Sequence, residues 1–170
     1  MLAPVAALLR FRPDTSGLIN RAREQAEYIR QGVQVGATRI FLPYLEKVEI
    51  IELASVCPIP NTPMWFLGMI NNRGHLLPVF DLNLFMGMDV GQSSRWLLIL
   101  GHGNWVAGLC IDTLPAVIAN PQQVDVNQTE AQTGIPVALC PHLNGAYLHS
   151  GTLWLDVAFD KLFIDLCSRF

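Results

Sequence analysis

Short apolar segments follow one another along the chain from residue 33 onward. Most alternate apolar with polar residues or form brief apolar runs, and Gly, Pro or Asn separates most neighbours. This pattern is typical of strands in a β-barrel or a β-sandwich. It predicts ten strands, at 33–35, 38–42, 48–53, 66–71, 75–80, 95–100, 105–111, 113–119, 145–149 and 152–157. A Gly- and Ser-rich stretch at 87–94 divides them into two sets of five, which favours two small barrels.

Helical periodicity is confined to the two ends of the chain. Residues 14–30 predict a modestly amphipathic helix with a polar cap at its start. Four apolar side chains at helical spacing predict a closing helix over 158–168. The polar stretch 120–136 is predicted to be a loop excursion. We therefore expect a mainly β fold, with an N-terminal extension at 1–32 and one domain at 33–170.

The composition favours a surface that other proteins cover over the alternative, a dense β core with a poorly soluble exterior. Charged residues make up only 15% of the 170 residues and hydrophobic residues 51%, with a mean hydropathy of +0.34. A domain of this size cannot bury that much apolar surface. A typical longest apolar run, Trp96–Leu100, is far shorter than the about 20 residues of a spanning helix. A net charge of −3 without a basic cluster argues against nucleic acid, and the N-terminus lacks leader features, so we expect a cytoplasmic protein.

Four cysteines are scattered without a C-x-x-C pair, and they are predicted to be buried small hydrophobic residues: Cys57, Cys110, Cys140 and Cys167. No metal site or cofactor is predicted, because no second ligand pair accompanies Cys140 and His142.

Two alternative functions come from other classes of protein. A hydrolase would use Cys140 with His142 or His149. Pro141 predicts a turn there, and no carboxylate is evident that would orient a histidine. A β-barrel that binds a small molecule would need an empty pocket inside a barrel, whereas the two-barrel interpretation predicts filled interiors.

One segment of about two dozen residues combines a turn, a tight hairpin and a helix start. It contains Pro60-Asn61-Thr62-Pro63, then Gly68-Met69-Ile70-Asn71-Asn72-Arg73-Gly74, then Leu77-Pro78-Val79-Phe80-Asp81-Leu82. Asp81 is predicted to cap a short helix that Gly87 ends, and Pro78 predicts an edge strand or a bulge. Arg73 is the one positive charge of the segment, and no acid, base or nucleophile is arranged for chemistry there. The hairpin is therefore predicted to hold another protein.

These motifs resemble, in order and spacing, those of the CheW-like coupling proteins of bacterial chemosensory arrays. Gly108–Asp112 looks like the family's G-[ILV]-x-V-D segment, and Gly151–Asp156 looks like its late strand ending in Asp. Two positions depart from the pattern. Asn72 replaces the usual small apolar residue, and Pro115 lies where members usually continue a strand.

The resemblance implies two intertwined five-stranded β-barrel subdomains around a shared core, with no catalytic activity and no cofactor. It implies an adaptor that bridges a chemoreceptor's cytoplasmic tip to the regulatory domain of a CheA-type histidine kinase. Such an adaptor has no direct membrane insertion and joins membrane-anchored receptor arrays through its partners. The N-terminal extension and Leu42-Pro43 look like the twitching-motility subgroup known as PilI. Flagellar and type IV pilus outputs both stay open.

By resemblance, the receptor contacts are Arg73, Asn71, Gly68 and Val48. The guanidinium supports this independently, because its planar fork binds carboxylates or carbonyls and Arg is frequent among binding hot spots. In the structural alternatives, Arg73 pairs with a local carboxylate and Asn71 bonds the backbone of its own turn. Gly74 is predicted to supply a positive φ, and Gly68 to allow the close approach of a neighbouring chain.

The residues after the turn are candidates for kinase contact, because Met and large aromatic residues are enriched at interfaces. These residues, Met64, Trp65 and Phe66, are equally compatible with the core. The remaining motif positions are expected to be structural: Pro60, Asn61, Pro63, Gly74, Pro78, Asp81, Gly108, Asp112 and Asp156.

Overall fold

The computed structural model describes residues 29–44, 47–53, 55–88, 95–102, 105–126 and 134–170. Within them the chain is mainly β. The strands are β1 (Ile29–Val35), β2 (Thr38–Phe41), β3 (Val48–Glu52), β4 (Phe66–Asn72), β5 (His75–Phe80), β6 (Trp96–His102), β7 (Trp105–Ile111), β8 (Ala116–Ala119), β9 (Gln122–Val124), β10 (Leu143–His149) and β11 (Thr152–Val157). The helices are α1 (Leu82–Phe85), a 3-10 helix (Val137–His142) and α2 (Phe159–Ser168).

Each of the ten predicted strands has a counterpart, and the differences have local causes. β8 begins only at Ala116, because Pro115 has no N–H to donate to a ladder. β9 was missed, since it is a three-residue strand inside the polar stretch predicted as a loop. The predicted helix over 14–30 lies outside the described residues, except for Ile29 and Arg30. Those two residues belong to β1, which pairs with β2 and β8.

The predicted division of the strands at 87–94 is wrong. One sheet has six strands in the order β8-β1-β2-β11-β10-β9, and the other has five in the order β3-β6-β7-β5-β4. The first two strands therefore join the last four, through a parallel contact between Ile40 and Leu155. Side-chain periodicity reports which face a residue occupies but not which strand lies beside it. This interleaving agrees with the intertwining that the resemblance implies.

The six-stranded sheet is strongly curled. β8 and β9 lie at opposite ends of its strand order, yet only Asn120 and Pro121 separate them in the chain. Three residue steps span at most about 11 Å. The two edges of the sheet therefore approach each other at this point.

The main core lies between the two sheets and under α2. It includes Val35 and Leu155 from one sheet, Leu98 and Leu109 from the other, and Leu162 from α2. A second core fills the opposite face of the five-stranded sheet: Ile70, Leu77, Val79, Leu97, Ile99 and Cys110. A third lies in the six-stranded sheet: Phe41, Ile118 and Trp154. Because β6 is buried on both faces, Trp96–Leu100 is a continuous apolar run without alternation.

The start of α1 confirms the predicted cap. Asp81 accepts hydrogen bonds from the backbone N–H of Asn83 (2.8 Å) and Leu84 (3.2 Å), and Gly87 follows with φ +71°. Pro78 does not lie on an edge strand, because β5 runs between β7 and β4. Within the described residues its parallel pairing with β7 starts at Val79. The bulge is in the facing strand, at Leu67 of β4.

The closing helix α2 confirms the predicted spacing, with Phe159, Leu162 and Leu166 buried on one face. Among the described residues, no helix combines the length and apolarity that crossing a bilayer requires. Nor does this part of the chain bring three His, Cys, Asp or Glu side chains together as metal ligands would be.

Candidate interaction site

The hairpin between β4 and β5 is a two-residue turn that places Arg73 at its tip. Arg73 (φ +52°) and Gly74 (φ +87°) are both left-handed, which is the type I′ geometry that matches the twist of paired strands. Asn71 Oδ1 accepts a hydrogen bond from the N–H of Gly74 at 2.8 Å. The positive φ predicted for Gly74 is confirmed, and Asn71 bonds its own turn. The tip is therefore rigid and carries one cation.

The Arg73 guanidinium pairs with the carboxylate of Glu49 on β3. The Nη2–Oε1 distance is 2.7 Å, while the Arg73 side chain remains 75% exposed. The structural alternative of a local carboxylate partner is thus realised. One exposed pair of this kind contributes at most about 1 kcal/mol to stability. Most of the guanidinium still faces solvent.

A cavity of about 600 Å³ opens beside this ion pair. Charged, polar and apolar residues all line it: Lys47, Glu49, Asn72, Arg73, His75, Leu76, Leu77, Ile99, Gly101 and Val106. Leu77 and Ile99 belong to the second core, whereas the Leu76 side chain is exposed. Two cations and one carboxylate give the lining a net charge of +1 with His75 neutral. The site therefore suits an apolar side chain with an acidic neighbour.

Gly68 acts through its backbone. Its φ is +129°, and an added Cβ would overlap the Cys57 carbonyl oxygen and lie 2.8 Å from Pro58 Cα. Cys57 and Met69 exchange two backbone hydrogen bonds of 2.9 Å at this point. The close approach predicted for Gly68 is therefore confirmed. Because Gly68 is buried, it cannot touch a partner directly. Any effect of Gly68 on partner binding is exerted through the backbone contact between β4 and residues 57–58.

Val48, also expected at the receptor contact, lies on β3 opposite Leu100. Its half-buried side chain packs against the main core, while the adjacent Glu49 lines the cavity. The structure thus brings Arg73, Asn71 and Glu49 to one surface and leaves Gly68 and Val48 beneath or beside it.

The turn at Pro60–Pro63 shapes the entry to β4. Asn61 has φ +62°, the Thr62 hydroxyl donates to the Ile59 carbonyl at 2.8 Å, and the N–H of Phe66 donates to the Pro63 carbonyl at 3.0 Å.

The three residues suggested for kinase contact differ in exposure. The Met64 side chain is 78% exposed, and Phe66 is buried in the main core. Trp65 is half-buried between the rings of Phe80 (6.1 Å) and Phe85 (5.8 Å). Only Met64 and Trp65 can reach a partner without local rearrangement.

The three motif residues from the second half of the chain, Gly108, Asp112 and Asp156, make structural contacts within the domain. Asp112 Oδ2 accepts from the N–H of Gly36 at 2.6 Å and so joins the end of β7 to the turn between β1 and β2. Asp156 pairs with Arg30 at 2.7 Å, and this guanidinium lies 4.2 Å from the centre of the Phe41 ring. At Gly108 an added Cβ would lie 2.9 Å from Leu97 Cδ1.

Three of the four cysteines contradict the prediction, since Cys57, Cys140 and Cys167 are exposed and only Cys110 is buried. Burial first, and then the charges of Asp81 and Asp112, raise the pKa of the Cys110 thiol to about 12.

The geometry required by a Cys/His hydrolase is not present in the described residues. The Cys140 thiol donates to the Pro136 carbonyl at 3.7 Å, whereas buried His142 pairs through Nε2 with Asp165 at 3.1 Å. A carboxylate does accompany this histidine, contrary to the sequence prediction. No hydrogen bond between Cys140 and a histidine occurs in the ranges given above.

Sequence reasoning missed the aromatic partner that covers Trp65. The Phe170 ring lies 5.5 Å from Trp65 and 4.8 Å from Phe66, and the Arg169 guanidinium lies 5.2 Å from the centre of the Phe85 ring. The only signal in the sequence is a cation followed by an aromatic residue just after an amphipathic helix. That signal does not reveal which distant residues the pair contacts.

The chain is similar to several known proteins. The family model of the CheW-like domain matches residues 31–166. FrzA of Myxococcus xanthus is 31% identical over 105 residues, which are 60% of this chain and 63% of FrzA. CheW of Helicobacter pylori is 29% identical over 98 residues, 56% of this chain and 59% of that protein. PilI of Pseudomonas aeruginosa is 29% identical over 126 residues, 73% of this chain and 68% of PilI. The matched region therefore spans less than two thirds of FrzA and of the Helicobacter protein.

The fold has a solved counterpart in the crystal structure of the scaffolding protein TtCheW from Thermoanaerobacter tengcongensis. The TM-score is 0.61 at 20% identity, covering 76% of this chain and 83% of that one.

Two curled sheets that share a core, with a rigid charged hairpin at one end, define a mainly β domain. This chain belongs to the CheW-like domain family.

Proposed function

We propose that this protein is a non-enzymatic adaptor that couples a chemoreceptor's cytoplasmic tip to a CheA-type histidine kinase. The observation that carries the proposal is the rigid turn that presents Arg73 beside an open cavity. Relatives named CheW, FrzA and PilI support a place in chemotaxis or in type IV pilus motility signalling. The adaptor works in the cytoplasm, attached to receptor arrays through its partners, and needs no cofactor.

The receptor would bind at the hairpin. A helical hairpin tip offers carboxylates and free carbonyl oxygens, and the exposed part of the guanidinium can bind either. The cavity would take an aliphatic side chain from the same helix, with Leu76 at its edge. Asn71 and Gly68 would act indirectly, the first by fixing the turn and the second by seating β4 on residues 57–58.

Kinase binding would use a separate surface around Met64 and Trp65, supported from below by Phe66. Separate surfaces let one protein hold both partners at once and pass a conformational bias from receptor to kinase. The contact would be modest in area and reversible, as in many transient signalling complexes.

Calorimetry with the regulatory domain of the cognate kinase, followed by a receptor-stimulated kinase assay, tests the proposal. The variants are Arg73→Ala and a matched control, Arg95→Ala. The Arg95 side chain is also 75% exposed and lies beside the same sheet, 3.9 Å from Glu52. Both variants should bind the kinase domain like the wild type, and only Arg73→Ala should lose receptor stimulation. No kinase binding by the wild type, or equal losses in the two variants, would contradict the proposal.

A second candidate function is binding of a small molecule, favoured by the cavity of about 600 Å³. This volume lies in the range of ligand pockets. However, the cavity lies beside the β4–β5 hairpin of the five-stranded sheet. The face of that sheet behind the cavity is already filled by the side chains of the second core. A thermal-shift screen of small carboxylates and aliphatic acids addresses it, with a saturable stabilisation as the supporting result.

A further inference from the structure

We infer that Arg169 and Phe170, at the end of α2, position Trp65 for the proposed kinase contact. This inference rests on the proposed function, because it concerns one of that function's two surfaces. It assigns a role to a pair of residues that no motif of the chain singles out.

The Trp65 ring depends on contacts from three directions. Phe80 lies beneath it at 6.1 Å, Phe85 meets it edge-on at 5.8 Å, and Phe170 meets it edge-on at 5.5 Å. The first two belong to β5 and α1, which follow Trp65 closely in the chain. Phe170 comes from the other end of the chain, and without it the Trp65 ring loses one of these three contacts.

Phe170 is exposed for a residue with two ring contacts. Its side chain is 59% exposed, although its ring lies 4.8 Å from Phe66 and 5.5 Å from Trp65. Burial alone therefore explains little of its placement. The edge-to-face geometry, with interplanar angles of 85° and 76°, is the one that aromatic quadrupoles favour.

Arg169 anchors this placement by two further contacts. Its Nε and Nη2 donate to Asp165 Oδ2 at 3.1 and 2.8 Å, and its guanidinium lies over the Phe85 ring. Asp165 also receives His142 Nε2 at 3.1 Å. The end of α2 is thereby tied to the 3-10 helix before β10 on one side and to α1 on the other.

The test combines fluorine NMR of 5-fluorotryptophan-labelled protein with calorimetry against the kinase regulatory domain. The chain has four tryptophans, and the substitutions Trp65→Phe and Trp154→Phe assign the Trp65 and Trp154 resonances. The variants are Phe170→Leu, which keeps an apolar side chain without a ring, and Phe170→Tyr, which restores the ring. Ile164→Ala is the matched control, since Ile164 on the same helix is 61% exposed. The Trp154 resonance reports that the fold is intact.

In Phe170→Leu, the Trp65 resonance should shift and broaden while the Trp154 resonance stays in place. Kinase affinity should fall about three- to tenfold, as expected when the loss of one or two aromatic contacts leaves Trp65 less well positioned for the interface. Phe170→Tyr should restore both signals, and Ile164→Ala should change neither.

Three results would overturn the inference. The first is an unchanged Trp65 resonance in Phe170→Leu, and the second is a shifted resonance with wild-type kinase affinity. The third is an equal loss of affinity in Ile164→Ala. In all three cases wild-type binding would still support the proposed function. Failure of the wild type to bind the kinase domain would instead reject both.

Discussion

Gly68→Ala is the substitution whose cost the structure defines most sharply. The new Cβ would overlap the Cys57 carbonyl oxygen and lie 2.8 Å from Pro58 Cα, and both are backbone atoms that cannot rotate away. Segment 57–58 must therefore move off β4. That movement breaks the two 2.9 Å hydrogen bonds between Cys57 and Met69.

The magnitude follows from two contributions. A residue with a side chain held at φ +129° costs about 1–3 kcal/mol. Two lost backbone hydrogen bonds cost about 0.5–1.5 kcal/mol each. We expect Gly68→Ala to lower the free energy of unfolding by about 2–6 kcal/mol, a large fraction of the stability of an ordinary domain.

Urea unfolding monitored by circular dichroism measures this loss, with Gly151→Ala as the matched control. Gly151 also has a positive φ, +73°, but nothing lies within 4 Å of its added Cβ. Gly151→Ala should therefore lower the free energy of unfolding only by the cost of the left-handed backbone conformation, about 1–2 kcal/mol. If Gly68→Ala proved no more destabilising than Gly151→Ala, the close backbone approach would not be what requires glycine at this position.

Three further substitutions or treatments have defined outcomes. Asn71→Ala should lower the free energy of unfolding by about 0.5–1.5 kcal/mol in thermal melts, because it leaves the N–H of Gly74 without its acceptor; an unchanged stability would contradict this. A thiol reagent should modify three cysteines of the folded protein but not Cys110, whose pKa is raised to about 12 by burial; mass spectrometry showing labelled Cys110 would refute it. The Arg169 hydrogen bond lowers the pKa of Asp165 below the ordinary pKa of an aspartate. The stabilisation from this shift is present above the ordinary aspartate pKa and is lost as pH falls through the lower pKa of the folded state. Arg169→Ala should therefore make the free energy of unfolding fall less steeply with acidification, as measured by urea unfolding at several pH values. An unchanged pH dependence would contradict the pairing.

Several features of the chain could be predicted because they are local. The positive φ at Gly74, the Asp81 cap and the strand before it depend on residues within a few positions of one another. The spacing of α2 and ten of the strands followed from periodicity alone. The motif around Arg73 was also sufficient to recognise the family that residues 31–166 match.

The errors arose where the answer depended on distant neighbours. Cys57 and Cys110 both lie in apolar surroundings in the sequence, yet Cys57 is exposed and Cys110 is buried in the second core, on the face of β7 away from the main core. Pro78 predicted an edge strand or a bulge, but β5 is internal to its sheet and the bulge lies in the facing strand, β4. Local composition cannot reveal which strand lies alongside.

The sequence by itself therefore determined ten of the eleven described strands, the turn chemistry and the membership of a family, because each depends on short-range backbone preferences or on a motif. Tertiary structure alone decided that β1 and β2 join the last four strands rather than β3 to β7, which follow them in the chain. It also paired Arg73 with Glu49 and laid Phe170 against Trp65. Those contacts join residues 24 and 105 positions apart. Their existence depends on how two sheets bury a common core, which no local pattern records.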